Sequence, residues 1–129
     1  MNFKTKVIYS VYKEYQERLR KNNAMDFDDL LFNTYILFSQ KKKIREKYQE
    51  RFQYIFIDEF QDTNKLQYEI SKIIAVKNNN ICVVGDDAQS IYGFRGAKIE
   101  NILNFKKDFN NCKVIKLEQN YRSTKTIVK

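Results

Sequence analysis

Three short polar clusters hold the residues whose types and spacing could do chemistry. Asp58, Glu59, Gln61 and Asp62 follow the apolar run Tyr54–Ile57 (YIFI). Gly85, Asp86, Asp87, Ala88, Gln89 and Ser90 follow Ile81–Val84 (ICVV). Glu118, Gln119, Asn120, Tyr121 and Arg122 follow Val114–Leu117 (VIKL). Four apolar residues with an acidic pair emerging at the end have the form of a Walker B strand. Asp58 would then hold Mg²⁺ through its waters, because that ion prefers carboxylate, water and phosphate oxygens together. Glu59 would polarise the water that attacks a γ-phosphate, and phosphoryl transfer needs both the positioning and the charge neutralisation such a pair supplies. Read alone, the same pair could simply cap the following helix, and Asp62 or Thr63 could serve as that cap.

Elements must deliver these clusters. The three apolar runs read as strands, and residues 65–76 and 98–109 between them carry apolar positions at helical spacing. Strand–helix–strand–helix–strand with continuous apolar strands predicts an α/β fold, a parallel sheet whose crossover helices bury it on both faces. In such sheets ligands bind at the carboxyl ends of strands, where all three clusters fall. Residues 1–52 read as a preceding helical segment. Ile8, Val11, Tyr12, Tyr15 and Leu19 give one apolar stripe, broken at Lys21, Asn22 and Asn23. Asp26 is the expected N-cap of a second helix with apolar Phe27, Leu30, Leu31, Tyr35 and Phe38. A short helix to about Phe52 follows the lysine run 41–43, and a last helix is expected from Ser123 or Thr124. Proline is absent and the glycines, Gly85, Gly93 and Gly96, all lie in one loop region.

Composition narrows the chemistry further. The 129 residues are 43% hydrophobic and 15% aromatic, enough for a real core. There is no histidine and there are two distant cysteines, Cys82 and Cys112, which removes most zinc sites and every imidazole-based triad. Cys82, inside an apolar run, is expected in the core. The net charge of +8 favours an anionic partner such as nucleic acid, nucleotide or an anionic lipid surface. Lys4, Lys6, Lys13, Arg18, Arg20 and Lys21 could lie along DNA or form a solvated helix face. No stretch is long and apolar enough to span a bilayer, and the amino-terminal residues lack the pattern of a signal peptide, so a cytoplasmic location is expected.

The strings DEFQDTN (58–64), VVGDDAQSIYGFRGA (83–97) and LEQNYRST (117–124) resemble, in order, motifs II, III and IV of the UvrD/Rep/PcrA-like superfamily 1 DNA helicases. MDFDDLL (25–31) is similar to a stretch shortly before motif II, and the resemblance covers roughly residues 24–127. It implies that residues 53–129 are part of a RecA-like P-loop NTPase domain (1A), with residues 1–52 at the boundary of subdomains 1B and 1A. It further implies ATP and Mg²⁺ as cofactors, and Asp58 and Glu59 as the magnesium carboxylate and the catalytic base. Gln89 would sense the γ-phosphate, a role that suits an amide able both to donate and to accept. Tyr121 would stack on adenine, and Arg122 would contact the γ-phosphate as an arginine finger does. Tyr92, Phe94 and Arg95 would contact DNA, where stacking tolerates any base. Implied partners are single-stranded DNA, duplex junctions and the remainder of a helicase chain.

The pattern departs from the family at Phe94, where Trp is usual, and at Ala88, where an acid is frequent. No G-x-x-x-x-G-K-[ST] occurs, so the loop that grips phosphates through backbone N–H groups and a lysine is absent from this sequence. The expectation is an internal helicase fragment without meaningful ATP hydrolysis of its own. The competing expectation is a nucleic-acid-binding module with a helicase-like sheet that does not hydrolyse ATP.

Overall fold

The computed structural model describes residues 2–89, 99–109 and 111–128. Helix α1 (Phe3–Lys21) starts where Asn2 Oδ1 accepts the Thr5 N–H at 2.8 Å. It stops at Asn22 and Asn23, and Asn23 takes a φ of 48°, a left-handed conformation that asparagine tolerates. The break expected at Lys21–Asn23 is therefore where the helix ends. Helix α2 (Phe27–Gln40) opens with a reciprocal capping box. Asp26 Oδ1 accepts the Asp29 N–H at 2.8 Å, and Asp29 Oδ2 accepts the Asp26 N–H at 3.2 Å. Such a cap contributes about 1 kcal/mol. The Tyr15 hydroxyl donates to Asp26 Oδ2 at 2.8 Å and ties α1 to the start of α2. The Asp29 N–H, then Tyr15, hold the Asp26 carboxyl below its ordinary range.

Helix α3 (Lys42–Arg51) turns back, with an Arg45 guanidinium N–H donating to the Phe38 carbonyl at 2.9 Å. Strand β1 (Ile55–Ile57), helix α4 (Lys65–Ala75) and strand β2 (Ile81–Val83) form one crossover unit. The strands are parallel, in the register Ile55–Ile81, Phe56–Cys82 and Ile57–Val83. Helices α2, α3 and α4 pack on one another. Gln49, buried, donates to the Ile73 carbonyl at 2.6 Å, and Asn78 donates to the Gln49 carbonyl at 2.9 Å. Helix α5 (Ile99–Asp108) follows β2, and α6 (Lys125–Val128) closes the described chain.

The core lies on one face of the sheet. Phe60, Tyr68 of α4 and Phe105 of α5 meet there over Ile57, Ile81 and Val83. The Phe60 ring lies edge-on to both Tyr68 and Phe105, at 5.5 and 5.7 Å between centroids. The Tyr68 hydroxyl donates a short hydrogen bond to Asp108 Oδ2, and Lys72 sits 3.3 Å from Asp108 Oδ1. Burial, then the Asp108 hydrogen bond, push the Tyr68 phenol up, while that hydrogen bond and Lys72 hold the Asp108 carboxyl low.

Two expectations fail. Among the described residues the sheet has two strands, and Val114–Leu117 is not a third. It runs exposed without a ladder partner, because β-propensity becomes a strand only where a neighbour supplies backbone groups and a packing surface. The sheet is also not buried on both faces. Phe56 is 76% exposed, and its register partner Cys82 is exposed rather than in the core. Side chains alternate across a strand, so residues 56 and 82 point away from the helices that cover residues 57, 81 and 83. Helix α1 has no buried residue, and its contact with α2 includes the Tyr15–Asp26 hydrogen bond. The parallel α/β arrangement is present on this smaller scale.

Candidate functional site

The first two strand tips form one connected structure. Beyond the strands proper, the Val84 N–H donates to the Ile57 carbonyl at 2.8 Å and the Phe60 N–H to the Val84 carbonyl at 2.9 Å. The ladder thus persists until both chains turn away. At Asp58 the chain leaves the sheet, and Asp58 Oδ1 accepts the Glu59 N–H at 2.9 Å. Glu59 takes φ 49° and ψ 43°, left-handed backbone that costs a non-glycine residue about 1–3 kcal/mol. That turn starts a 3₁₀ turn, Phe60–Asp62, which drives Phe60 into the core and leaves the Asp58 and Glu59 side chains exposed. The cap of α4 is neither Asp62 nor Thr63. Asn64 Oδ1 accepts the Gln67 N–H, and Gln67 Oε1 accepts the Asn64 N–H, both at 2.9 Å. The Thr63 hydroxyl donates instead to the Phe60 carbonyl at 2.7 Å.

Gln61 joins the two tips. Its side chain is 1% exposed, its Nε2 donates to Glu59 Oε2 at 2.7 Å, and its Oε1 accepts the Asp86 N–H at 3.1 Å. A carboxylate can only accept and a backbone N–H can only donate, so one amide orientation satisfies both partners. Asp86 continues the chain: its Oδ2 accepts from Gln89 Nε2 at 2.7 Å and its Oδ1 from the Ala88 N–H at 3.0 Å. Glu59, Gln61, Asp86 and Gln89 therefore lie on a single hydrogen-bonded path. Gly85 makes room for it. A Cβ there would stand 2.8 Å from Gln61 Oε1 and 3.1 Å from Ile102 Cδ1. Asp62, beside this path, has its Oδ1 buried with no hydrogen-bond partner among the described residues.

The third cluster makes its hydrogen bonds within itself. Tyr121 is 86% exposed, its hydroxyl donating to Gln119 Oε1 at 3.1 Å, and Arg122 is exposed. Asn120 Oδ1 accepts the N–H groups of Arg122 and Ser123, each at 2.9 Å, and forms the turn before α6. No hydrogen bond or ion pair among the described residues joins Tyr121 or Arg122 to Asp58, Glu59 or Gln89. Tyr92, Phe94 and Arg95 lie outside the described residues.

As for a metal, no group of three acidic or sulfur ligands that could hold one occurs among the described residues. Asp58 offers one carboxylate with Oδ1 already engaged by a backbone N–H. That donor set fits an ion carrying most of its shell as water and phosphate oxygen, the preference of magnesium, and does not fit an all-protein cage.

The bridging role of Gln61 is not legible in the sequence, where it is one of several polar residues after the first apolar run. The available signal was Gly85 at the second tip, a position where a neighbour must come close. The α4 cap has a signal in the sequence, the N-x-x-Q string of Asn64 and Gln67.

Comparison with known proteins adds three findings. The model of the UvrD/REP helicase N-terminal domain matches residues 1–110. The ATP-dependent DNA helicase PcrA of Staphylococcus aureus (strain COL) is 53% identical over 127 residues, 98% of this chain and 17% of the relative. The protein of that name from Staphylococcus epidermidis (strain ATCC 12228 / FDA PCI 1200) is 54% identical over 127 residues, with the same shares. The chain thus spans 17% of the length of these curated relatives. The family match begins at residue 1, ahead of the stretch from residue 24 that the motifs had marked, and takes in α1.

Proposed function

The chain belongs to the UvrD/REP helicase family, and from that premise we propose that it forms part of an ATP-dependent DNA helicase that couples ATP hydrolysis to movement along single-stranded DNA and to duplex unwinding. The observation that carries the reading is the pair Asp58–Glu59, held exposed at the end of a half-buried parallel strand and hydrogen-bonded onward to Gln89 on the neighbouring tip. An exposed carboxylate pair on a strained turn is suited to a charged ligand, and the αL backbone at Glu59 is the kind of local cost that functional sites retain.

In this proposal the strings at 58–64, 83–97 and 117–124 are motifs II, III and IV. Residues 53–129 are part of a RecA-like domain, and residues 1–52 are the boundary segment before it. Magnesium would arrive with ATP and neutralise phosphate charge, with Asp58 as the protein carboxylate on its shell. Glu59 accepts the proton of the attacking water. Gln89 reads the γ-phosphate, Tyr121 stacks on the base and Arg122 meets the γ-phosphate once other parts of the protein bring the third cluster in. Tyr92, Phe94 and Arg95 contact single-stranded DNA. The proposed setting is the cytoplasm; among the described residues no helix is long and apolar enough to cross a membrane.

Steady-state ATP hydrolysis tests the reading. A full-length protein carrying this chain is expected to turn over ATP faster with single-stranded DNA. Glu59→Gln is expected to lower kcat by about 10²–10⁴-fold, the usual contribution of a positioned base, and Asp58→Asn is expected to lower turnover as well. The 129-residue chain alone is expected to show no DNA-stimulated turnover. Hydrolysis indifferent to DNA, or to Glu59→Gln, overturns the proposal.

A further inference from the structure

We propose that Gln61 is a positioning residue that fixes the Glu59 carboxylate and locks it to the loop bearing Gln89, so that base and sensor are set as one unit. The inference rests on the helicase reading above and adds a residue and a role to it.

The argument begins with burial. A side-chain amide has two N–H donors and a carbonyl, and placing it at 1% exposure costs free energy unless partners meet it. Gln61 meets that cost with groups on both tips: the exposed Glu59 carboxylate at 2.7 Å and the backbone N–H of Asp86 at 3.1 Å. A glutamine that served packing alone could be replaced by an apolar side chain of similar shape. Here the donor end faces a carboxylate that reaches solvent, and the acceptor end faces the first polar residue of the second tip. Gly85 carries the second observation. The backbone of the second tip comes so near Gln61 that any side chain at residue 85 would meet Oε1 at 2.8 Å and the Gln61 backbone nitrogen at 3.3 Å.

The consequence is geometric. Glu59 sits on left-handed backbone at the surface, and a free glutamate there would sample several rotamers. The Gln61 hydrogen bond selects one. Asp86, fixed through its N–H, in turn fixes Gln89 through Oδ2 at 2.7 Å. A shift of Gln89 toward or away from a phosphate is then felt at the carboxylate that must accept the proton, and misplacement of a base by a fraction of an ångström is costly in rate.

Two substitutions and one double variant separate positioning from mere packing. Gln61→Glu keeps the size and the acceptor for the Asp86 N–H but removes the donor and sets a second carboxylate against Glu59. In the full-length protein it is expected to lower kcat about 10- to 100-fold. KM for ATP is expected to stay within about threefold, because the loss falls in the transition state rather than in substrate binding. The double variant Glu59→Gln with Gln61→Glu restores an amide–carboxylate pair in reverse. Nuclear magnetic resonance of the full-length protein is expected to show the Asp86 amide signal displaced in Gln61→Ala and returned toward its original position in the double variant, which remains inactive.

A Gln61→Glu protein with unchanged kcat, while Glu59→Gln abolishes turnover, overturns the positioning role and leaves the helicase reading intact. An Asp86 signal unmoved in Gln61→Ala also overturns it. Indifference of turnover to Glu59→Gln overturns the helicase reading and the inference together.

Discussion

The first two strand tips and the stretch around residues 114–122 carry similar residue types, apolar run then polar cluster, yet they have different fates. At the first two, backbone pairing of β1 with β2 brings Glu59, Gln61, Asp86 and Gln89 onto one hydrogen-bonded path. At the third, Leu117 is 84% and Tyr121 86% exposed, and the hydrogen bonds of Tyr121, Arg122 and Ser123 stay within three residues. The difference teaches that a functional cluster inherits its geometry from the strand beneath it. Where the strand has a partner, the polar residues beyond it are positioned; where it has none, they remain an inventory.

The largest test of this contrast removes the anchor of one region and the matching residue of the other. Phe60→Ala should destabilise the chain by about 3–5 kcal/mol, since Phe60 is fully buried between Tyr68 and Phe105. Leu117→Ala should change stability by less than about 0.5 kcal/mol. Chemical denaturation of both variants reads the difference, and equal losses would erase the contrast. Gly85→Ala comes next, with an expected cost of about 1–3 kcal/mol from overpacking against Gln61 and Ile102. A Gly85→Ala protein as stable as the parent would mean that the two tips are not held as closely as 2.8 Å implies.

The smallest effect is acid sensitivity beneath the joined tips. The Asp108 carboxyl is held low by the Tyr68 hydroxyl and Lys72, so its folded pKa lies below its unfolded one. Its stabilisation is present above the ordinary carboxylate pKa of about 3.9 and is lost as pH falls through the lower folded value. The pair is partly exposed, so the contribution stays below about 1 kcal/mol. Thermal melts from pH 6 to pH 3 should lose less stability in Asp108→Asn than in the parent, and an identical acid profile would remove Asp108 from the account.

Much of the local structure was legible because its causes are local. Asp26 announces its helix by capping chemistry, Asn22 and Asn23 end the one before, and the helical period of residues 65–76 survives intact in α4. The acidic pair at the end of YIFI was legible for the same reason: four apolar residues followed by two carboxylates put those carboxylates at a strand end. The alternation of residues 55–57 and 81–83 does not say which face the helices cover, so Cys82, expected in the core, turns away from it.

By itself, then, the sequence determined where helices begin and end and the chemical identity of the polar clusters, both of which depend on residues within one or two turns of each other. Only tertiary structure decided that Val114–Leu117 lacks a ladder, that Phe56 and Cys82 face outward, and that Gln61 bridges two tips 25 residues apart in the chain. The reason is that burial and hydrogen-bond partnership across such distances belong to the packed arrangement of elements, and no stretch of chain encodes its own neighbour.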